Sequence, residues 1–351
     1  MPSFETQQWG FLGLGNMGLH MANNLAEHLA NHQDHGAHPP LLLYNRTRSK
    51  MPAESDSIQH AESPKDLATR CDVVLTSLAN DEAAKQVYAE LYEGAKERGK
   101  SGKGTIFIDT STLYPTTCGD LEREATKIPG AVYLCSPVFG PPPMAKAGKL
   151  VFVLSGDVFA KKRVAPYLVP AMGRRIIDVG SNVERAAAFK LCGNGTIATL
   201  IEVLAEGLTL ADKSGVGADL YYEFIKEFLP APSMIGYGGK ILNNEFEAST
   251  GFTTVGGLKD VTHVRRLAQS VGVTLPALDA AQRGLVASIA NGGAEMDWST
   301  MVAGTRLSAG LNPFTGRKDH PQDTGFGAKT DDTKGSLEPE SVGGIKEVKN
   351  F

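Results

Sequence analysis

Cysteine, excess charge and long apolar runs are all scarce in this 351-residue sequence, and each scarcity argues against a class of protein. The four cysteines form no Cys-x-x-Cys pair, so neither a disulfide framework nor a paired-cysteine zinc site is indicated. The formal net charge is −4 without a basic tail, which argues against a nucleic-acid binder. No run approaches the roughly 20 apolar residues that cross a bilayer, and the first residues lack the layout of a signal peptide. We therefore expect a cytoplasmic protein whose cysteines are reduced and mostly buried.

A glycine-rich segment follows the first predicted strand, Trp9–Leu12. In that segment Gly13 permits a tight turn, Gly15 leaves room for phosphates, and Gly18 lets the next helix pack close to the sheet. The N-terminal end of this helix, which is the positive end of its dipole, then faces the negatively charged phosphates. The apolar stripe of that helix is Met17, Met21, Leu25 and Leu29. The pattern predicts a dinucleotide site made of Gly13, Leu14, Gly15, Asn16, Met17 and Gly18.

The end of the second predicted strand, Leu41–Tyr44, indicates which dinucleotide binds. An NAD-specific site usually has an acidic side chain here for the ribose 2′-hydroxyl, but the next carboxylate is Glu54. Asn45 is neutral, and Arg46 offers a planar, permanently charged group that suits a phosphate. We therefore expect a preference for NADP over NAD, with Asn45, Arg46 and Thr47 in the site. A solvated basic turn is the alternative.

Strand and helix patterns alternate through the N-terminal half and predict a mostly parallel, doubly wound α/β sheet. Further strands are predicted at 72–78, 105–108 (stopping at Asp109), 132–134, 150–154 and 174–179. Ligands of such sheets bind beyond the carboxyl ends of the strands, which makes the residues there candidates for the site. After about residue 182 strand signals are absent, and helices are predicted at 184–214, 219–229, 231–243, 259–271, 276–291 and 297–308.

The chain accordingly divides into a Rossmann domain over 1–182, an all-helical domain over 183–311 and a polar tail over 312–351. The tail has little to bury, so we expect it to be disordered. The alternative is a docked tail, anchored through Phe314, Phe326 and Phe351.

Of three lesser features, the histidines and Cys192 receive the simpler of two interpretations, and the tyrosines are left open. His28, His32, His35 and His38 have metal-like spacing but lie in a polar insert, so a solvent loop is favoured and no metal is expected. Cys192 is interpreted as a small core residue rather than a nucleophile. For the tyrosines of the helical domain the sequence leaves core packing and pocket lining open: Tyr221, Tyr222 and Tyr237.

Lys190 and Asn194 lie four residues apart on the long predicted helix and therefore point from the same face. Gly193 and Gly195 flank Asn194, although each costs the helix about 1 kcal/mol relative to alanine. A helix that tolerates such glycines indicates close approach of another surface. Taken alone, a lysine and an asparagine at this spacing are more typical of a solvated helix face than of a functional site.

In order along the chain, the motifs resemble those of the β-hydroxyacid dehydrogenase family, relatives of 3-hydroxyisobutyrate dehydrogenase and 6-phosphogluconate dehydrogenase. The resemblance extends from about residue 9 to residue 308. The matching pieces are Gly13–Gly18, Asn45–Thr47, Asp109–Thr112 with Pro115, Pro137–Gly140 with Ala147–Leu150, Lys190 with Asn194, Gly257–Asp260, and Asp297–Ser299.

The resemblance implies a Rossmann domain followed by a 6-phosphogluconate-dehydrogenase-like helical domain, and hydride transfer between a nicotinamide and a β-hydroxyacid or its carbonyl counterpart. Lys190 matches the catalytic lysine; as an ammonium it would protonate the carbonyl oxygen, and as an amine it would accept the alcohol proton. The second role needs a pKa lowered toward about 7–8. Asn194 would hydrogen-bond the substrate. Matches to cofactor-contacting positions are Leu78, Ala79, Thr112 and Lys259. A homodimer or larger homo-oligomer is implied as well.

One loop departs from the family pattern. Where the family has Val-Ser-Gly-Gly to hold the substrate carboxylate, this chain has Val138, Phe139 and Gly140 followed by Pro141–Pro143. The prolines lack N–H donors and stiffen the loop. We expect a more apolar pocket, in which Ser136 could supply a hydroxyl; the predicted substrate-binding residues are Ser136, Val138, Phe139 and Gly140. Packing of Phe139 under the nicotinamide is the alternative.

Two other functions are compatible with the same fold. Some relatives reduce imines, but they usually replace the catalytic lysine with an acidic or aromatic residue. A non-catalytic NADP-binding scaffold would also be expected to lose the lysine. Lys190 therefore favours the dehydrogenase.

Overall fold

A computed structural model describes residues 7–31 and 38–316 of the chain. The strands within these residues are β1 Trp9–Leu12, β2 Leu41–Tyr44, β3 Ile58–His60, β4 Val73–Thr76, β5 Thr105–Asp109, β6 Ala131–Cys135, β7 Val138–Phe139, β8 Leu150–Gly156 and β9 Gly173–Asp178. The helices between them are α1 Gly18–Asn31, α2 Pro64–Arg70, α3 Asp81–Gly99, α4 Pro115–Ala125, α5 Pro142–Lys146 and α6 Val158–Leu168.

The strands form one sheet in the order β3-β2-β1-β4-β5-β6-β8-β7, and β9 pairs with β8. Pairing is parallel from β3 through β6. At the far end β8 runs antiparallel to β6 and β7 and parallel to β9. The order reverses at β1, so the carboxyl ends of β1, β2 and β4 open onto one crevice, where ligands of such sheets bind. The predicted α/β, mostly parallel, doubly wound fold is confirmed.

Alternating side chains along the strands divide the core between the two faces of the sheet. Trp9 and Phe11 pack with α1 and α6 on one face. Leu12 and Phe107 pack with α2, α3 and α4 on the other. Helices on both faces completely bury β1, β4 and β5, which is typical of parallel sheets.

The remaining elements are helical. They are α7 Val183–Lys213, α8 Ala218–Phe228, α9 Pro232–Asn243, α10 Thr254–Ser270, α11 Pro276–Ala290 and α12 Val302–Ser308, with a 3₁₀ turn at Trp298–Met301. The long helix agrees with its prediction within one residue at each end, and Gly215 follows it with a positive φ. Helix α10 begins five residues earlier than predicted, because Thr253 caps it by accepting a hydrogen bond from Gly256 N.

Helix α7 corrects the sequence expectation about apolar runs. By length and composition it is apolar enough to cross a membrane. Half of its most apolar window is buried inside the protein, where Leu191, Ile201 and Leu208 pack with α9, α10 and α11. This burial is typical of the central helix of a folded domain.

The predicted domain boundary between residues 182 and 183 falls between β9 and α7. The division into two domains stays a prediction. The tail from residue 317 onward lies outside the described residues, as do His32 and His35. Phe314, just before them, packs edge to face on Phe246. His28 and His38 both contact the ring of Tyr167. Within the described residues no group of three metal-ligating side chains is found.

Candidate active site

The glycine loop between β1 and α1 shows three different requirements for glycine. Gly13 has φ +97°, and a Cβ there would overlap the backbone oxygen of Ser77. A Cβ on Gly18 would overlap the backbone oxygen of Gly13. A Cβ on Gly15 would meet nothing within 4 Å. The protein itself therefore does not require a glycine at position 15, and the open space above it fits a dinucleotide phosphate at the start of α1.

Asn45, at the end of β2, is tied to this loop. Its Oδ1 accepts a hydrogen bond from Leu14 N at 2.9 Å, and its Nδ2 donates to Thr47 O at 2.8 Å. The asparagine thus braces the loop and shapes the following turn. Arg46 and Thr47 are exposed beside it. Within the loop, Leu14 is buried, Gly15 and Asn16 are exposed, and Met17 is half-buried.

The ends of β4 and β5 form the next part of the crevice. Leu78 N donates to Ser111 Oγ at 2.8 Å, which joins the segments that follow these two strands. Asp109 accepts from Ser111 N, so the buried carboxylate holds the turn in place. Ala79 is exposed and Thr112 half-buried at the rim.

Lys190 is one end of a buried polar chain. Its Nζ donates to Asn194 Oδ1 at 2.9 Å, and Asn194 Nδ2 donates to Asp260 Oδ2 at 2.6 Å. All three residues are buried, and Asp260 is completely so. Burial lowers the pKa of Lys190 to about 8; the Asp260 carboxylate opposes this fall and Lys259 adds to it. The site therefore holds an amine that changes protonation state near neutral pH.

Phe139 covers one side of this lysine. Its ring centroid lies 4.2 Å from Lys190 Nζ, a cation–π distance, and its ring plane makes an angle of 70° with that of Phe189, with 6.2 Å between the centroids. A Cβ on Gly193 would overlap the ring of Phe139, and a Cβ on Gly195 would lie 3.0 Å from Val264 Cγ1. The expectation that these glycines admit another surface is confirmed.

The remaining predicted substrate residues lie around Phe139. Val138 and Phe139 pair with β8, and exposed Gly140 has φ +133°. Pro141–Pro143 do not form an irregular loop: Pro141 precedes α5 and Pro142 occupies its first turn, where a missing N–H is harmless. The Ser136 hydroxyl is buried and has no hydrogen-bond partner among the described residues. It is thus closed off from solvent.

Sequence reasoning missed two contacts that join α10 to the segments following β4 and β5. Lys259 Nζ donates to Thr112 O at 2.6 Å and lies 3.0 Å from Asp260 Oδ1. One turn further on, His263 Nε2 lies 2.8 Å from Asp81 Oδ2. Hydrogen bonds from His263, Thr117 and Tyr114 N lower the pKa of Asp81 despite its burial. The only sequence signal for these contacts was the motif Gly257–Asp260, which includes Lys259 but does not indicate which residues it contacts.

Cys192 was wrongly interpreted as a core residue, since it is exposed. It lies on α7 two residues beyond Lys190, on a different face of the helix. The other three cysteines are buried, as expected. Of the tyrosines, Tyr222 donates to Ile235 O and Tyr237 accepts from Trp298 Nε1, so both are held within the helical core.

Comparison with known proteins identifies the family. Residues 8–180 match the family model described as the NAD binding domain of 6-phosphogluconate dehydrogenase. Residues 185–304 match the model described as the NAD-binding domain of NADP-dependent 3-hydroxyisobutyrate dehydrogenase. The chain belongs to the β-hydroxyacid dehydrogenase family. It is therefore an oxidoreductase of CH–OH groups with a nicotinamide cofactor, and the family acts on small hydroxyacids.

Individual known proteins are moderately similar to this chain. The NADH-dependent oxidoreductase ucdB of Aspergillus ustus is 27% identical over 85% of this chain and 99% of its own. Mitochondrial 3-hydroxyisobutyrate dehydrogenase of Mus musculus is 33% identical over 60% of this chain and 59% of its own. The structure of 3-hydroxyisobutyrate dehydrogenase from Mycobacterium tuberculosis with L-serine is 26% identical, covers 86% of this chain and 100% of its own, and superimposes with a TM-score of 0.71.

Proposed function

We propose that this protein is an NADP-dependent oxidoreductase that transfers a hydride between the nicotinamide and a β-hydroxyacid or the corresponding carbonyl compound. Lys190 is its general acid and base. The observation that carries the proposal is the buried Lys190 amine, held by Asn194 at the crevice of a dinucleotide fold. When bound, the nicotinamide supplies or accepts the hydride.

Lys190 manages the proton that accompanies the hydride. During reduction the ammonium donates its proton to the carbonyl oxygen, and the neutral amine then regains a proton from solvent. During oxidation the neutral amine accepts the proton of the alcohol. A pKa of about 8 supports both directions, because both forms of the amine are populated near neutral pH.

Asn194 and Asp260 position this group. Asp260 accepts one N–H of the Asn194 amide, which turns the amide oxygen toward Lys190 Nζ. The second amide N–H can donate to a substrate oxygen that contacts Lys190. Asn194 thus sets the angle of the substrate, and Asp260 acts through Asn194.

The preference for NADP is supported by the turn after β2. Arg46 is exposed just after that strand, and Asn45 carries no negative charge. The next carboxylate along the chain, that of Glu54, accepts a hydrogen bond from His60 N. A ribose 2′-phosphate would meet a guanidinium there rather than a carboxylate. Homo-oligomeric assembly and cytoplasmic location remain predictions.

Substitution of Lys190 by alanine tests the catalytic role. We expect kcat to fall by about 10²–10⁴-fold, the usual contribution of a general acid or base. The affinity for NADPH, measured by quenching of protein fluorescence, should stay unchanged, because the proposed contacts of Lys190 are with the substrate. Lys100→Ala, at an exposed lysine beyond α3, is the matched control. Full turnover by Lys190→Ala would contradict the proposed function.

Substitution of Arg46 by alanine tests the cofactor preference. Loss of charge-assisted hydrogen bonds to the 2′-phosphate should lower the NADPH-to-NADH ratio of kcat/KM by roughly tenfold or more. Arg175→Ala, at an exposed arginine in β9, should leave the ratio unchanged. An Arg46→Ala enzyme with the wild-type ratio would remove Arg46 from the cofactor site.

A further inference from the structure

The helical part of the chain contains a cavity that lies far from Lys190. It has a volume of about 310 Å³ and is enclosed by the last turns of α7, the start of α8, the end of α9, α12 and the segment that follows α12. Thr209, in its wall, comes 19 residues after Lys190 on the same helix, which corresponds to about 28 Å along the helix axis. The cavity is therefore separate from the candidate active site, and its volume suits a small ligand.

Arg306 places a buried positive charge in this cavity. Its Nη1 donates to Asn244 Oδ1 at 2.9 Å and to Pro313 O at 3.4 Å, and its Nη2 donates to Ile241 O at 3.0 Å. These acceptors are all neutral, and among the described residues Nε has no acceptor and no carboxylate forms an ion pair with the guanidinium. Burial lowers the pKa of Arg306 to about 10, although Asp212 opposes this fall. The guanidinium thus retains a donor and a charge for an anionic group.

The walls and the mouth of the cavity differ from this inner end. Leu208, Ile241 and Leu311 in the walls are buried and apolar. Asp212 and Asp219, which also line the cavity, are exposed to solvent. From inside to outside, the lining therefore changes from a positive group through an apolar surface to two negative groups.

This order of charges restricts the ligand. A dianion such as phosphate would be repelled by the two carboxylates at the mouth, and a simple amine would be repelled by the guanidinium inside. A molecule with an inner carboxylate and an outer ammonium meets an opposite charge at both ends. A short methylene chain between these groups would bury its surface against the apolar walls.

We propose that this cavity binds a small ω-amino acid, with its carboxylate toward Arg306 and its ammonium toward Asp212 and Asp219. The site does not depend on the proposed hydride transfer, because its lining includes none of the residues assigned to substrate or cofactor.

Three molecules with the same five-carbon chain test the charge requirement. 5-Aminopentanoate carries both charged groups, pentylamine lacks the carboxylate, and pentanoate lacks the ammonium. In isothermal titration calorimetry of the full-length protein, 5-aminopentanoate should bind at least about tenfold more tightly than pentylamine, because pentylamine cannot form the charge-assisted hydrogen bond to Arg306. It should bind at least about threefold more tightly than pentanoate, because the carboxylates at the mouth are exposed and their ion pairs are weaker.

The isomer norvaline tests the separation of the two charges. Its ammonium lies beside its carboxylate, so binding would carry the ammonium inward toward Arg306. Norvaline should therefore bind at least about tenfold more weakly than 5-aminopentanoate. Equal binding of the two isomers would overturn the assignment to an ω-amino acid.

Substitutions in the lining locate the site. Arg306→Gln should weaken binding of 5-aminopentanoate by about tenfold or more. Because Arg306 also holds the end of α9, Asp219→Asn is a second variant at an exposed position that leaves the packing intact. It should weaken binding of 5-aminopentanoate by about threefold without weakening that of pentanoate. Asp279→Asn, at an exposed aspartate of α11, is the matched control and should bind as the wild type does.

Lys190→Ala distinguishes this cavity from the active site. It should bind 5-aminopentanoate with unchanged affinity, whatever happens to turnover. Loss of binding in Lys190→Ala would show that the compound occupies the active site and would overturn the inference. Absence of binding to the wild type at millimolar concentration, or unchanged binding in Asp219→Asn, would overturn it as well. None of these results would affect the proposed oxidoreductase, which is tested by turnover alone.

Discussion

At the scale of single residues, Lys190 shows how burial changes the chemistry of an ordinary side chain. An exposed lysine has a pKa near 10.4 and is always protonated in the cell. Burial on α7 lowers the pKa of Lys190 to about 8, although the Asp260 carboxylate raises it. The balance between these two effects determines the pH range in which the amine can accept a proton.

Asp260→Asn tests that balance. Oxidation of an alcohol needs the neutral amine, so its rate should rise with pH through about 8 in the wild type. Loss of the carboxylate removes the effect that raises the pKa of Lys190, so the rising limb should move to lower pH. The pH profile of kcat/KM for oxidation measures this shift. Asp279→Asn, which removes an exposed ion pair with Arg265, is the control and should leave the pH profile unchanged. An unchanged profile in Asp260→Asn would show that Asp260 has only a structural role.

The spacing of Lys190 and Asn194 predicted that they share a helix face, and the hydrogen bond between them is formed. The contact of Asn194 with Asp260 joins residues 66 positions apart, which no local pattern specifies. Cys192 was misjudged for a similar reason, because only the packing around a helix decides which of its faces is exposed.

At the scale of elements, glycines in α7 exchange local helix stability for close packing. Gly193 admits the ring of Phe139, and Gly195 admits Val264 of α10. By helix propensity alone, each would be better replaced by alanine, by about 1 kcal/mol. The packing of β7 and α10 on α7 overrides that preference.

Gly193→Ala should therefore lower the free energy of unfolding despite its better helix propensity. The added Cβ overlaps the ring of Phe139, and overpacking costs about 1–3 kcal/mol. Gly236→Ala in α9 is the matched control: its Cβ meets nothing within 4 Å, so stability should rise by up to about 1 kcal/mol. Chemical denaturation measures both changes.

Phe139→Ser in the Gly193→Ala background gives a second test of the same overlap. The smaller side chain should recover part of the lost stability, since it makes room for the added Cβ. Equal stability changes in Gly193→Ala and Gly236→Ala would show that the ring of Phe139 does not constrain position 193.

Long elements were predicted more accurately than short ones. The apolar runs of β1, β2 and β5 and the length of α7 are visible in the sequence. Strands β3 and β7 were not predicted, because three and two residues are too few to show an alternating apolar pattern. They exist because neighbouring strands β2 and β8 offer hydrogen bonds.

At the scale of the whole molecule, α10 connects the helical part to the segments that follow β4 and β5. Lys259 donates to Thr112 O and His263 pairs with Asp81, so both contacts end beside the crevice. Arg266 also lies over the ring of Tyr114, 4.0 Å from its centroid. The helix that carries Asp260, and so holds Asn194 and Lys190, is thus joined to the rim of the cofactor crevice by these few contacts.

The outer surface of α8 supports the predicted homo-oligomer. Only Ile225 of this helix is buried, and stacked Phe224 and Phe228 are exposed together with Leu220. An exposed apolar patch of this kind is typical of a protein–protein interface. Phe224→Asp should shift the sedimentation coefficient from that of an oligomer to that of a monomer.

Phe159→Asp, at the exposed phenylalanine of α6, should leave the sedimentation coefficient unchanged. A wild-type protein that sediments as a monomer at micromolar concentration would contradict the prediction. An oligomer that survives Phe224→Asp would place the interface elsewhere.

The sequence by itself determined the α/β order of elements, the glycine loop, and the pairing of Lys190 with Asn194, because each depends on residues close together in the chain. The tertiary structure decided the rest of the site. It brought Asp260 to Asn194, laid the ring of Phe139 over Lys190, and exposed Cys192. Burial and contacts between distant segments set the pKa of an amine and the shape of a pocket, and neither is encoded in a local pattern.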